Sequence, residues 1–137
     1  MTDFFAQLEA NSQRLFNLLD RFQDPSILVV GDLALDEFVS GEVERLSREA
    51  PVLILRHENT VQIPGGGGNA VYNLAKLGAT VTVAGLIGLD PQGEALKTIF
   101  FEAGIDPSGM IAERDRATVT KTRISGHARQ SVTQQIV

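Results

Sequence analysis

Residues 64–69 read Pro-Gly-Gly-Gly-Gly-Asn, and Ala70, Val71, Tyr72, Asn73, Leu74, Ala75, Lys76, Leu77 and Gly78 follow at once. Four successive glycines take every Cβ out of a turn, so a ligand can approach the main chain closely and positive φ costs little. Ala70, Leu74 and Leu77 then recur at helical spacing, Asn69 stands where a helix should begin, and Gly78 is placed to end it. Such a turn is expected to present its backbone N–H groups, and the Asn69 amide, to a ligand above a helix N-terminus.

The rest of the chain supplies a frame for that turn. At 137 residues there is material for one folding unit. A net charge of −5 gives no electrostatic reason to expect nucleic acid or an anionic membrane as partner. With no cysteine and only His57 and His127 as histidines, disulfides and thiolate metal sites are excluded and a zinc cluster is not expected. No apolar run approaches the roughly 18 residues of a membrane span, and the N-terminus lacks the layout of a signal peptide. The expected location is cytoplasmic.

From Phe4 to Phe22 the apolar residues Phe4, Phe5, Leu8, Leu15, Phe16, Leu19 and Phe22 keep a helical period, with Thr2 or Asp3 as cap and Asp24-Pro25 as terminator. This face is expected to pack on the core or on a subunit, since a membrane-surface helix needs a basic polar face and this one is mixed. Ile27, Leu28, Val29 and Val30 form a short apolar run, which reads as a strand buried on both faces of a parallel sheet. Ligands gather at the carboxyl ends of such strands. Asp32 and Asp36 follow that end; Asp32 suits a turn, while the two oxygens of Asp36 suit a pair of ligand hydroxyls.

Between Phe38 and Ile63 lie short strand-like pieces at 38–39, 52–55 and 60–63, separated by charged segments and read as a small sheet projecting from the body. Arg45, Arg48 and His57 fit a solvated face. Residues 80–88 form a second buried strand; Asp90 then caps a helix with Pro91 at its first position, Leu96, Ile99, Phe100 and Ala103 on its buried stripe, and Gly104 at its end. Strand and helix in alternation argue for βαβ units. Residues 110–112, 118–124 and 131–137 read as strands again. Lys121 and Arg123 project to one side, either toward an anionic substrate or toward acidic neighbours on the next strand.

A Walker phosphate loop is excluded because Asn69-Ala70 stands where it needs Lys-Ser/Thr. Gly65, Gly67 and Ala70 do satisfy the dinucleotide spacing, with Asp90 at a suitable distance beyond, so a dinucleotide-binding domain remains a competing reading. Against it, the strand before the turn is alternating and ends in proline. The residues 65–69, then Gly78, then Gly88, resemble the N-terminal signature of the ribokinase-like, or phosphofructokinase-B, sugar kinases; Val71 departs from the small residue usual there. The resemblance extends to Val29-Val30-Gly31-Asp32 with Asp36, to Glu49-Ala50-Pro51-Val52, to residues 88–93 and to Thr120-Lys121-Thr122-Arg123. Within that family it resembles the kinase domains that phosphorylate D-glycero-D-manno-heptose 7-phosphate in ADP-heptose synthesis.

The resemblance implies an α/β fold, the N-terminal half of a ribokinase-like three-layer sandwich with a small β lid. Residues 1–25 would be an N-terminal amphipathic helix and 26–137 the kinase portion, its lid strands at about 38–63. By the same resemblance Asp36, Gly65, Gly66 and Asn69 hold sugar hydroxyls, and Lys121 and Arg123 approach the phosphate of a phosphorylated sugar. The lid strands would support a homodimer. The cofactors implied are ATP and Mg²⁺. The family's second signature, Gly-Ala-Gly-Asp, supplies the catalytic aspartate and an anion hole, and it does not occur in these residues. No catalytic or metal-binding residue is therefore assigned here, and the chain is expected to need a C-terminal half for catalysis. A non-catalytic binding or assembly module on the same half-fold is the alternative.

Overall fold

A computed structural model describes residues 2–21, 25–127 and 134–136. The elements run α1 (Thr2–Asp20), β1 (Ser26–Val30), β2 (Leu33–Leu46), β3 (Leu53–Gly66), α2 (Gly67–Lys76), β4 (Thr80–Gly88), α3 (Pro91–Glu102), β5 (Asp106–Glu113), β6 (Val119–His127) and β7 (Gln134–Gln135). They make two sheets. One is a three-stranded parallel sheet in the order β1-β4-β5, the product of the expected alternation of strands with α2 and α3. The other is a four-stranded sheet in the order β3-β2-β6-β7, in which β2 is antiparallel to β3 and parallel to β6.

The core lies between the parallel sheet and the two helices behind it. Val81, Val83 and Ile87 of β4 and Met110 of β5 pack with Val71 of α2 and with Leu96 and Phe100 of α3. Local chemistry fixes the helix ends. Asp90 is extended and accepts from the Gly93 N–H at 2.8 Å with Pro91 inside the first turn, while Gly78 and Gly104 take the positive φ that closes α2 and α3.

Three expectations are corrected. β1 is covered on one face only: Leu28 and Val30 are 64% and 71% exposed, because α2 and α3 both lie on the opposite side, and Leu86 and Ile111 continue the open apolar face. Of the two places expected for the apolar stripe of α1, this core or a subunit, the first is overturned, since Phe4, Phe5, Phe16 and Leu19 are all exposed; Phe22 and Asp24 lie outside the described residues. No helix among the described residues is long and apolar enough to cross a membrane. Residues 38–46 and 53–63 of the lid lie in two 14-residue strands, β2 and β3, instead of short pieces, and β6 extends the same sheet. Its charged segments belong to the ladder: Arg56 on β3 pairs with Glu42 and Glu44 on β2, and shifts in register at Ser40/Gly41 and Val43/Arg45 interrupt the alternation. Arg45, Arg48 and His57 are exposed, as expected. Of the strand expected at 131–137, residues 131–133 and 137 lie outside the described residues.

The two sheets meet where β2 begins. Leu33 and Leu35 are buried in the core, and beyond them β2 leaves the body and carries the lid with it.

Candidate functional site

The glycine turn joins the end of β3 to the start of α2. The helix begins at Gly67, two residues before the expected start, and places Asn69 within its first turn. Gly66 is the N-cap, with φ 54° and ψ −132°, a conformation that strains any residue with a Cβ. The Gly67 N–H donates to the Asp32 carbonyl at 2.9 Å. One donor of the turn is thus turned inward, fastening it to the residue after Gly31 at the end of β1. Asp32 contributes its backbone to this contact.

Asp36 sits three residues into β2, opposite Ile63 of β3 on one side and Lys121 of β6 on the other. Its Oδ2 would lie 2.8 Å from a Cβ at Gly65, so the missing side chain is what lets the carboxylate settle against the turn. Its Oδ1 accepts from Arg123 Nη1 at 3.0 Å, with both side chains about a quarter exposed. The Arg123 guanidinium also lies 4.9 Å from the centroid of the Phe38 ring, its register partner. Lys121 is exposed. These positions share one face of the lid because Asp36 and Phe38, like Lys121 and Arg123, are two residues apart on a strand. Of the two readings open for Arg123, the structure makes the acidic cross-strand contact.

Asn69 is exposed and its Oδ1 accepts from Asn73 Nδ2 at 3.1 Å. It lines a cavity of about 300 Å³ with Gln62, Ile63, Pro64, Tyr72, Asn73 and Ile99. Ile63 also pairs with Asp36, so the cavity adjoins the Asp36 cluster. The structure therefore brings Arg123 and Gly65 to the Asp36 carboxylate, with the exposed Lys121 beside it in the β6 register, Gly66 next in the chain and Asn69 on the neighbouring hollow.

The arrangement offers a carboxylate for hydroxyls, two cations for an anion and an aromatic face, which suits a hydroxylated anionic ligand. It does not suit a metal: no group of three or more His, Asp or Glu is set to hold one among the described residues. The dinucleotide spacing loses its context, since β3, which leads into the turn, is antiparallel to β2 and belongs to the lid.

Two features escaped the sequence reading. Phe38 reads from the sequence only as part of a short strand, though its spacing from Asp36 already puts the two on one face. The second is a cluster around Asp90. Thr118, at the foot of β6, donates its N–H to Asp90 Oδ2 and its hydroxyl to Asp90 Oδ1, both at 2.7 Å, and its Oγ1 accepts from the Gly88 N–H at 2.9 Å. These bonds to Thr118 hold the Asp90 carboxyl below its ordinary pKa, and the Gly93 N–H adds to the effect against the opposing cost of burial. Residues 28 positions apart carry no local signal of such a contact.

Residues 24–135 match the pfkB family of carbohydrate kinases. The bifunctional protein HldE of Desulfatibacillum aliphaticivorans is 41% identical over 109 residues, covering 80% of this chain and 22% of that protein. HldE of Gluconobacter oxydans is 40% identical over 116 residues, covering 84% and 24%. The chain thus spans less than a quarter of the length of these curated relatives. Among solved structures, a carbohydrate kinase from Agrobacterium tumefaciens superposes with a TM-score of 0.57 at 24% identity, over 81% of this chain and 35% of that one. Arabidopsis thaliana ribokinase complexed with ribose and ATP gives 0.56 at 18%, over 84% and 36%. The fold is ribokinase-like, and the chain belongs to the pfkB family of carbohydrate kinases.

Proposed function

We propose that this chain forms the sugar-binding and lid portion of an ATP-dependent kinase acting on D-glycero-D-manno-heptose 7-phosphate. The observation that carries the reading is the Asp36 cluster: a carboxylate seated on Gly65 and bonded to Arg123, with Lys121 as its register partner on β6. In this reading Asp36 accepts hydrogen bonds from two sugar hydroxyls, while Arg123 and Lys121 face the phosphate already on the sugar. Gly65 and Gly66 let the sugar approach the backbone, and Asn69 supplies a further amide.

The choice of sugar rests on the motifs at residues 29–36, 49–52, 88–93 and 120–123, which together resemble those of heptose-phosphate kinases. Phosphoryl transfer needs a base for the attacking hydroxyl and donors for the developing charge. The family draws both from Gly-Ala-Gly-Asp, which is absent from these 137 residues. Catalysis therefore depends on residues beyond them, which would also hold ATP and Mg²⁺; the exposed lid strands are the proposed dimer contact and the cytoplasm the proposed location. ADP release from ATP, Mg²⁺ and heptose 7-phosphate is the test, run on this chain and on the chain extended by its native downstream sequence. Turnover in the extended form alone is expected. Turnover by the 137 residues alone, or silence in both forms, overturns the proposal.

A further inference from the structure

We infer that Asp90 and Thr118 form a positioning clasp that fixes where β6 leaves the α/β body, and so sets Lys121 and Arg123 against Asp36; this rests on the sugar-binding reading above. Asp90 belongs to the body, as the cap of α3. Thr118 immediately precedes β6, whose first residue, Val119, pairs with Ala34 of the lid. The hydrogen bonds between them therefore cross from one sheet system to the other.

β6 needs such a pin. A strand with one buried face has its register set by that face, but β6 alternates Val119, Lys121 and Arg123 with Thr120, Thr122 and Ile124, and neither set is apolar throughout. A slip of two residues would keep every side chain on its own face. It would also carry Lys121 away from Asp36 and Arg123 away from Phe38. Beyond the partly exposed contacts of Arg123 with Asp36 and Thr122 with Glu37, the observed register is marked by the buried foot of the strand, where the side-chain polar atoms are all used. Asp90 Oδ1 accepts from Gly93 N and Thr118 Oγ1, Asp90 Oδ2 from Thr118 N, and Thr118 Oγ1 from Gly88 N. Thr118 is 5% exposed, so water does not substitute for these partners.

The surrounding backbone is shaped to this contact. A Cβ at Gly88 would meet Asp90 Oδ2 and the Thr118 N, and one at Gly93 would come within 2.9 Å of Thr118 Oγ1. Glycine at both positions brings β4, α3 and the residue before β6 close enough for the Asp90 carboxylate and the Thr118 hydroxyl together to tie all three. The charge on Asp90 strengthens each bond it accepts. Along an extended strand Thr118 lies about 10 Å from Lys121 and about 17 Å from Arg123, so the clasp acts on the site only through the strand.

The test is residue-resolved amide hydrogen exchange on the protein, comparing Thr118→Val, which keeps the shape and loses the hydroxyl, with Thr118→Ser, which restores it. In Thr118→Val, exchange at residues 120–124 is expected to rise about ten- to a hundredfold, while β5 amides and the β4 amides other than Gly88, whose N–H loses its acceptor, hold their wild-type rates; Thr118→Ser returns β6 toward wild type. Asp90→Asn, which retains a good N-cap for α3, is expected to loosen the same residues. Unchanged β6 exchange overturns the inference, as does a rise shared equally by β4 and β5, which would make Thr118 a general stability contact. Titration with heptose 7-phosphate then adds a functional arm, in which affinity is expected to fall about tenfold in Thr118→Val and recover in Thr118→Ser. Absence of binding by the wild type counts against the choice of sugar and leaves the exchange result standing.

Discussion

In the body, Val81, Val83, Ile87, Leu96 and Phe100 are fully buried, and the strand and helices carrying them are placed by close packing. In the lid, Asp36, Lys121 and Arg123 stand partly or fully in solvent, and their strands are placed by backbone ladders and a few side-chain ties. The link between the regions is narrow: Leu33 and Leu35 at the root of β2, the Gly67 contact to Asp32, and Thr118 on Asp90. A substitution in the body should therefore be felt everywhere, and one in the lid mainly by the ligand. Packing energy scales with buried apolar surface, whereas half-exposed ion pairs contribute little to folding and much to orientation.

The largest expected effect belongs to Phe100→Ala. Phe100 fills the space between α3 and the glycine turn, its Cζ lying 3.2 Å from where a Cβ at Gly68 would be. Removing the ring should cost about 3–5 kcal/mol, a large fraction of the stability of a small domain. Urea unfolding followed by circular dichroism should show one transition moved to much lower denaturant. Should the body loosen while the lid ladder of β2 and β3 keeps its exchange protection, the two regions are more independent than their shared root implies.

Gly65→Ala tests the opposite side of the comparison. The new methyl would lie 2.8 Å from Asp36 Oδ2, and the carboxylate must swing away and disturb its bond to Arg123. A crowded group at the end of a side chain relaxes more readily than a filled core, so the expected loss of stability is about 1 kcal/mol. Affinity for heptose 7-phosphate, measured by calorimetric titration, should fall about tenfold or more, since a charged hydrogen-bond acceptor has been moved. Unaltered affinity would separate Asp36 from the ligand and remove the central residue of the proposed site.

What could be read beforehand divides along the same line. The ends of α2 and α3 were legible because Gly78, Asp90, Pro91 and Gly104 act within a turn of themselves. The glycine turn was legible as a feature, yet its helix starts at Gly67, because a turn without a side-chain cap gives no marker for the first helical residue. Asp36, Lys121 and Arg123 were legible as candidates; that they meet depends on β2 and β6 pairing in parallel across about 85 residues of chain, which no local pattern encodes. The lid strands looked short because Glu42, Glu44 and Arg56 interrupt the apolar pattern while satisfying one another across the ladder. The exposure of Leu28 and Val30 was illegible for a further reason: an apolar run states that a strand can be covered on both faces, not which elements are present to cover it.

The smallest effect, and the one that sharpens the comparison most, is the acid dependence of the junction. Asp90 has a folded-state pKa held below its ordinary value of 3.8, chiefly by the Thr118 hydroxyl and then by the Thr118 N–H. A carboxyl depressed in this way stabilises the folded state fully above its unfolded pKa, and the contribution disappears as the pH falls through the lower folded value. Acidification should therefore weaken the tie between body and lid through loss of charge on Asp90, while Phe100 and its neighbours, which do not titrate, keep the body packed. Comparing urea midpoints of the wild type and Asp90→Asn from about pH 5 down to about pH 2 isolates the term. The variant should be the less stable protein at the upper end, and the difference should shrink toward the lower end as the wild-type carboxyl takes up its proton. A difference independent of pH would mean that Asp90 holds Thr118 by shape and not by charge, and the junction would then be one more piece of the packed body.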